Sequence, residues 1–352
     1  MPELPEVETV RRVIGPQIQG RRIEKVTVKR PEVVAHPDAD EFCRRLSGQV
    51  FGSMTRRGKF LAARLESGDT LLLHLRMTGC LLAAPPEFPK EKHTHVVFQL
   101  SDGKELRFSD TRRFGRFWLI GAGEADPYSG IGKLGSEPFA PDCTAEYLFA
   151  RFGKRKKAIK ECLMEQRVIA GIGNIYSDEI LFAAGLHPAR AADSLTGAEW
   201  ERLAALIPER LSFFIAKNAI TPEEYLQTKG RDYRNTPFLQ VYGHAGGPCP
   251  VCGTTLCRTV IGGRSSVYCP PLPEIAVSPG GAFGTFPVQD LFRPVQRSGC
   301  TKRAIVPAIF DGHSDIGVTL TPYTHLGYDD AKEEWKRLPH GEWRVVKWGN
   351  SP

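Results

Sequence analysis

No stretch of the 352-residue chain stays apolar for long enough to cross a bilayer as a helix. The opening MPELPEVETVRR is acidic and polar where a secretory signal would be basic and then apolar, so a cytoplasmic protein without membrane association is expected. Internal repeats are absent as well, which excludes a solenoid or propeller built from them. The nine cysteines lack an even count, and Cys249, Cys252, Cys257 and Cys269 crowd into one short stretch. In a reducing compartment such a cluster reads as a metal site rather than as disulfides. Cys43, Cys80, Cys143, Cys162 and Cys300 are scattered and default to small core or surface residues.

What is present is ordinary globular composition, 41% hydrophobic and 25% charged, at a length that suits two or three domains. The net charge of +7 is unevenly placed. Residues 272–352 hold nine Lys/Arg and nine Asp/Glu, leaving 38 basic against 31 acidic groups in the first 271 residues. The excess leans toward a polyanionic partner and lies wholly outside the tail.

From Pro5 onward Val7, Val10 and Ile14 recur at helical spacing, with Pro5 suited to a first turn and Gly15 to a stop. Pro2 and Glu3 are then presented just ahead of this helix. Between about Arg22 and Ile120 the segments RIEKVTV, KFLAARL, TLLLHLRM, HVVFQL, KELRFSD and RFWLI read as strands separated by Gly, Asp and Pro turns. No long helices intervene, so an antiparallel β-sandwich is expected rather than a βαβ fold. After about Lys133 the segments EYLFARF, AIKECLMEQRVIA, YSDEILFAAGL and AEWERLAALIPERLSFFIAKNAI read as helices. A polar segment near Gln227–Pro237 leads into the cysteines. The division expected is 1–133, 134–238, 239–271 and a Pro- and Gly-rich tail, 272–352. The class is α+β.

Pro2 is the unusual chemical candidate. Once Met1 is removed its secondary amine is free, and an α-amine titrates near 7.7–8.0, far below lysine. Such an amine attacking a sugar C1′ gives an iminium, an electron sink that acidifies the C2′ proton and permits strand cleavage by elimination. Glu3 beside it is placed to move protons. Alone, Met-Pro-Glu is only a terminus.

The whole string MPELPEVETVRR, followed in order by RRGKF, HLRMTG, TRRFG, AGIGNIYSDEIL and a Cys-x-x-Cys, resembles the formamidopyrimidine-DNA glycosylase/endonuclease VIII family from Met1 to about Pro271. The resemblance implies a β-sandwich domain, a helix–two-turn–helix domain and a zinc-ribbon hairpin. It implies a bifunctional glycosylase/lyase, presumed monomeric, that acts on double-stranded DNA with oxidised bases or abasic sites. Pro2 and Glu3 would carry the chemistry. Lys59, expected on a strand after a Gly turn, would reach the lesion and its phosphate, and Arg264 would grip phosphates nearby. Flipping a base out costs stacking energy, which inserted apolar side chains offset. In this role Met77 and Phe114 would fill the gap and Arg112 would bond the orphaned base, with His74 also among the DNA-contacting residues. Asn174 would meet the backbone at a helix N-terminus. TRRFG fits the formamidopyrimidine branch, whose substrates are oxidised purines, better than endonuclease VIII, whose preference is oxidised pyrimidines. A binding protein without catalysis is the other alternative. The upstream Lys154, Arg155, Lys156 and Lys157 add phosphate affinity or form a solvated face.

Cys249, Cys252 and Cys269 are three ligands of a structural Zn2+ site. The family pattern places the fourth cysteine at 272, where this chain has Leu272. Cys257, Cys300 or His313 would have to complete the tetrahedron, and Cys257 is the poorest choice because it would tie the hairpin to itself. Leu-Pro-Glu can be encoded CTG-CCA-GAG; without its leading C this reads Cys-Gln and then Arg or Ser. Two readings of residues 272–352 therefore stand: an appended domain, or sequence read past one extra nucleotide. Resequencing the gene decides between them, since an unambiguous in-frame CTG codon rejects the frameshift.

Overall fold

The computed structural model describes residues 2–271; Met1 and the tail from Leu272, with Cys300 and His313, lie outside the described residues. The first helix, α1, runs Leu4–Ile18. It passes through Gly15, expected to end it, and through Pro16. Pro16 forfeits one backbone hydrogen bond, and burial of Ile14 and Ile18 against the sandwich outweighs that loss. Gly15 is useful where it stands, because a Cβ there would already touch Met54 at 3.4 Å.

Two sheets follow. One is ordered β1 (Ile23–Val28), β7 (Thr94–Leu100), β8 (Glu105–Asp110), β6 (Gly79–Ala84). The other is ordered β2 (Val34–His36), β9 (Arg116–Ile120), β5 (Thr70–His74), β4 (Phe60–Leu65), β3 (Phe51–Arg57). The sandwich is antiparallel except that β2 runs parallel to β9, and a short helix α2 (Ala39–Leu46) connects β2 to β3, neither of which the alternation revealed. Asp38 caps α2 by accepting from the Asp40 and Glu41 amides. Phe98 sits at the centre of the core, edge-on or tilted to Phe42, Phe51 and Phe117.

A second core gathers the helices α3 (Ala145–Phe152), α4 (Ile159–Leu163), α5 (Asn174–Ala183) and α6 (Gly197–Lys217) around Tyr176, Trp200 and Phe214. Helix α4 is only five residues long; the helix expected through Ala170 gives way to turns that carry the chain to Gly171–Gly173. Leu4, from the far end of the sequence, belongs to this helical core rather than to the sandwich. A further short helix, α7 (Pro222–Gln227), packs Tyr225 back into the sandwich core, its hydroxyl donating to the Leu81 carbonyl at 3.1 Å.

The last element is a hairpin, β10 (Cys257–Ile261) with β11 (Arg264–Tyr268), turned by Gly262 and Gly263, both at positive φ. Its stem is fastened to the helices by a fully buried ion pair: Lys160 Nζ lies 2.6 Å from Asp178 Oδ1. Asp178 also accepts from the Ser266 hydroxyl at 2.6 Å and the Val267 amide at 3.0 Å. Both carboxylate oxygens thus have a donor, and Lys160 also donates to the Ser265 carbonyl at 3.1 Å, the kind of added hydrogen bonding under which a buried pair is tolerated.

Candidate active site and nucleic-acid interface

Glu3 caps α1 in a reciprocal box with Glu6: its side chain accepts from the Glu6 amide, and Glu6 Oε2 accepts from the Glu3 amide at 2.8 Å. The Glu3 carboxylate also accepts from the amides of Ile175 (3.0 Å) and Tyr176 (3.4 Å) in the first turn of α5. One carboxylate thus faces two helix N-termini, where the dipoles favour negative charge. Leu4 donates to the Gly171 carbonyl at 3.2 Å, completing the dock.

Glycine makes this approach possible. A Cβ on Gly171, at φ +94°, would fall 2.5 Å from Leu4 Cδ1. On Gly173 it would fall 2.4 Å from Glu3 Cδ and 2.6 Å from Lys59 Nζ. Glu3 and Lys59 therefore crowd the same glycine, and the AGIGN turn is shaped to receive the front of the chain. Pro2, one residue ahead of Glu3, is itself buried.

Lys59 is not on a strand, as expected, but is the second residue of the two-residue turn Gly58–Lys59 between β3 and β4. The reason is Glu137, which accepts from the Gly58 amide and from Arg56 (2.8 Å) and Arg57 (3.1 Å), holding the turn against 134–137. Burial pushes the Lys59 pKa down; Glu3 and Glu6 oppose this, and the Arg264 charge adds to it. Arg264, exposed at the start of β11, is close enough to depress both Lys59 and Lys160. The site thus draws on four distant segments.

A separate tip carries the residues expected to act as a wedge. Met77 and Phe114 are exposed at 42% and 46%, unusual for large apolar side chains. Arg112 lies between them, its Cζ 4.7 Å from the Phe114 ring centroid and its Nη1 2.9 Å from Met77 Sδ. The two loops that carry them converge on buried Asp110, which accepts from the Thr78 hydroxyl, the Arg112 amide (3.1 Å) and the Gly115 amide (2.8 Å). Motif reading missed Asp110 because its work is done inside the protein. Glu6, Glu137 and Glu179 were missed for the same reason; Glu179 accepts from three successive amides, Gln240, Val241 and Tyr242.

His74 lies beneath this tip rather than on it. Its ring stands edge-on to Phe60 at 4.6 Å, and Nδ1 accepts from the Arg76 amide at 3.0 Å. Burial first, then the charges of Arg76 and Lys59, push its pKa down to about 3. With Nδ1 accepting, the neutral ring carries its proton on Nε2, and Nδ1 holds the Arg76 backbone, which sits at φ 56°. Asn174 opens α5, beside the Glu3 dock.

The Sγ atoms of Cys249, Cys252 and Cys269 lie within 4.8 Å of one another, Cys252 and Cys269 at 3.4 Å. Zinc–sulfur bonds near 2.3 Å in a tetrahedron put sulfurs about 3.8 Å apart, so the three thiols fit a zinc ion. Cys257 stands apart from them, and among the described residues no fourth ligand joins the group.

These features are those of a DNA-repair glycosylase. Of the Lactococcus lactis enzyme Fpg (MutM), the complex with Fapy-dG-containing DNA is 32% identical, with TM-score 0.71, covering 77% of this chain and all of that one. Its complex with oxidised-pyrimidine DNA matches with TM-score 0.71 over 78% of this chain and 100% of that one, also at 32% identity. Three family models match in order: the formamidopyrimidine-DNA glycosylase N-terminal domain at residues 1–117, its H2TH domain at 134–224, and a zinc finger found in FPG and IleRS at 246–270. The formamidopyrimidine-DNA glycosylase of Symbiobacterium thermophilum is 45% identical over 79% of this chain and 92% of its own length. That of Moorella thermoacetica is 45% identical over 73% and 94%. The chain belongs to the formamidopyrimidine-DNA glycosylase family.

The depressed His74 pKa makes a prediction about stability. An unfolded histidine takes a proton near 6.5, whereas folded His74 takes one only near 3. Between these values the unfolded chain binds more protons, so His74 favours folding above 6.5 and progressively opposes it as pH falls. Urea unfolding of His74→Gln should therefore show a smaller loss of stability than wild type between about pH 7 and 5. An unchanged pH dependence would contradict the buried, neutral ring.

Proposed function

We propose that this chain is a bifunctional glycosylase and abasic-site lyase that removes oxidised purines, formamidopyrimidine and 8-oxoguanine among them, from double-stranded DNA. The observation that carries the reading is the docking of the Pro2–Glu3 lead on Gly171–Tyr176 beside Lys59. With Met1 removed, the Pro2 amine attacks C1′ of the flipped nucleotide, and the C1′–N bond breaks with its electrons leaving on the base. Ring opening gives the iminium between C1′ and the Pro2 nitrogen. Loss of the C2′ proton into that sink expels the 3′ phosphate by β-elimination, and δ-elimination then expels the 5′ phosphate, leaving a one-nucleoside gap. Glu3 moves protons at the sugar, and Lys59 and Arg264 hold the flanking phosphates. Met77 and Phe114 occupy the vacated stack, Arg112 meets the orphaned base, and Asn174 contacts the backbone. The division into 1–133, 134–238 and 239–271 follows these duties. The compartment we assign is the cytoplasm, with access to the chromosome. Oxidised pyrimidines form a second substrate class, favoured by the likeness to the Lactococcus lactis complex that contains one.

Borohydride reduction during reaction with an 8-oxoguanine duplex should trap a covalent protein–DNA adduct, and Pro2→Gly should reduce it to background. A wild-type protein that binds the duplex yet yields no adduct would instead be a binding protein.

Cys249, Cys252 and Cys269 are the residues we assign to one structural Zn2+, with the fourth position not supplied by residue 272. When bound, the ion cross-links the base of the hairpin that presents Arg264. Metal analysis of the full chain should find zinc that EDTA draws off, with DNA affinity falling about tenfold on its loss. A full equivalent retained through EDTA would contradict the open position.

A further inference from the structure

Segment 229–238 follows α7 and is fastened on two sides. Toward the sandwich, Cys80 Sγ donates to the Lys229 carbonyl at 3.1 Å. Glu91 pairs with both Lys229 (2.9 Å) and Arg231 (3.2 Å). On the other side Asn235, only 4% exposed, reaches under the front of the chain. Its Nδ2 donates to Glu6 Oε1 at 2.6 Å and also meets the Tyr176 hydroxyl. That hydroxyl itself donates to the same Glu6 oxygen. The other oxygen of Glu6 accepts from the Glu3 amide at 2.8 Å. One buried carboxylate thus joins helix α5, the lead to Pro2, and a segment more than two hundred residues away.

We propose that Asn235 is a positioning residue for the nucleophile, acting through Glu6 so that the seating of segment 229–238 sets the geometry of the Pro2–Glu3 lead. The inference rests on Pro2 being the nucleophile. Every hydrogen bond to Glu6 comes from an uncharged donor: the Glu3 amide, the Tyr176 hydroxyl and the Asn235 amide. Around it the Glu3 carboxylate repels and the Lys59 ammonium attracts, while Tyr176 and the half-buried Tyr233 lie within reach of its charge. Burial pushes the Glu6 pKa up. An anion so enclosed depends on each donor. Without the Asn235 amide, Glu6 keeps only two of its three donors, and the carboxylate that fixes the Glu3 amide is less firmly held. Had Asn235 only filled space, an apolar side chain would have served equally, with no unmatched polar atoms.

The test compares two duplexes in single-turnover borohydride trapping, one bearing 8-oxoguanine and one bearing an abasic site. The abasic duplex carries no lesion base, so a residue that acted by touching the base would matter only on the first. Asn235→Ala is expected to slow adduct formation about tenfold on both duplexes, with DNA affinity and melting temperature close to wild type. Slowing confined to the 8-oxoguanine duplex, or no slowing, overturns the proposal, because Asn235 would then act on the base or not at all. A role exchange guards against misfolding: Asn235→Asp with Glu6→Gln restores a donor–acceptor pair in reverse. The double variant should form adduct several-fold faster than Asn235→Asp alone; no recovery counts against the coupling. Failure of the wild type to form any adduct would instead refute Pro2 as the nucleophile, and this inference with it.

Discussion

The seat of Glu3 on the first turn of α5 is the contact on which the rest of the molecule depends. Other polar links join the sandwich side to the helical side, Glu137 at the Gly58–Lys59 turn and Tyr176 at Glu6 among them, but without this one Pro2 would be an ordinary loose terminus. With it, the terminus becomes an interior element: capped by its own helix, bonded to Ile175 and Tyr176, and pressed against two glycines that leave room for it. Leu4 in the helical core continues the same contact in apolar terms. The reactivity we propose for Pro2 would rest on this fixed geometry, since an amine on a short, anchored lead loses little entropy on meeting its substrate.

The surrounding charges are arranged so that no functional cation is left to wander. Glu137 holds the Gly58–Lys59 turn from behind, and the Lys160–Asp178 pair holds the hairpin that carries Arg264. The hairpin therefore has two independent supports, one made of thiols at its base and one made of a buried ion pair along its stem. The departure at Leu272 touches only the first. This explains how β11 keeps its hydrogen bonds to Asp178 in a chain whose cysteine pattern stops one short.

Legibility in the sequence followed exposure to ligand. Pro2, Lys59, Met77, Arg112, Phe114, Asn174 and Arg264 stand in strings whose order is distinctive, and the structure places them at the Glu3 dock, its hairpin neighbour or the wedge tip. Of the sandwich strands β2, paired in parallel over only three residues, β3 and β6 go unread; full burial alone is not the reason for β6, since β8 is buried on every residue too and is read from KELRFSD. Gly15 misled because a local stop signal is weaker than burial of Ile14 and Ile18. Glu6, Asp110, Glu137 and Asn235 were invisible for a different reason. Each acts on another protein group far away in the chain, and no spacing rule links position 6 to position 235.

Asp110 has a consequence for how the molecule would travel along DNA. Because one carboxylate holds both the Met77 and Phe114 loops, the two apolar side chains and the guanidinium between them form a single stiff tooth, not two probes that enter in turn. A stiff tooth samples each base step in one motion. In the wedge role we propose, it would succeed where stacking is already weak and rebound elsewhere, so that discrimination would begin with the mechanical softness of the duplex, before any base reached Pro2.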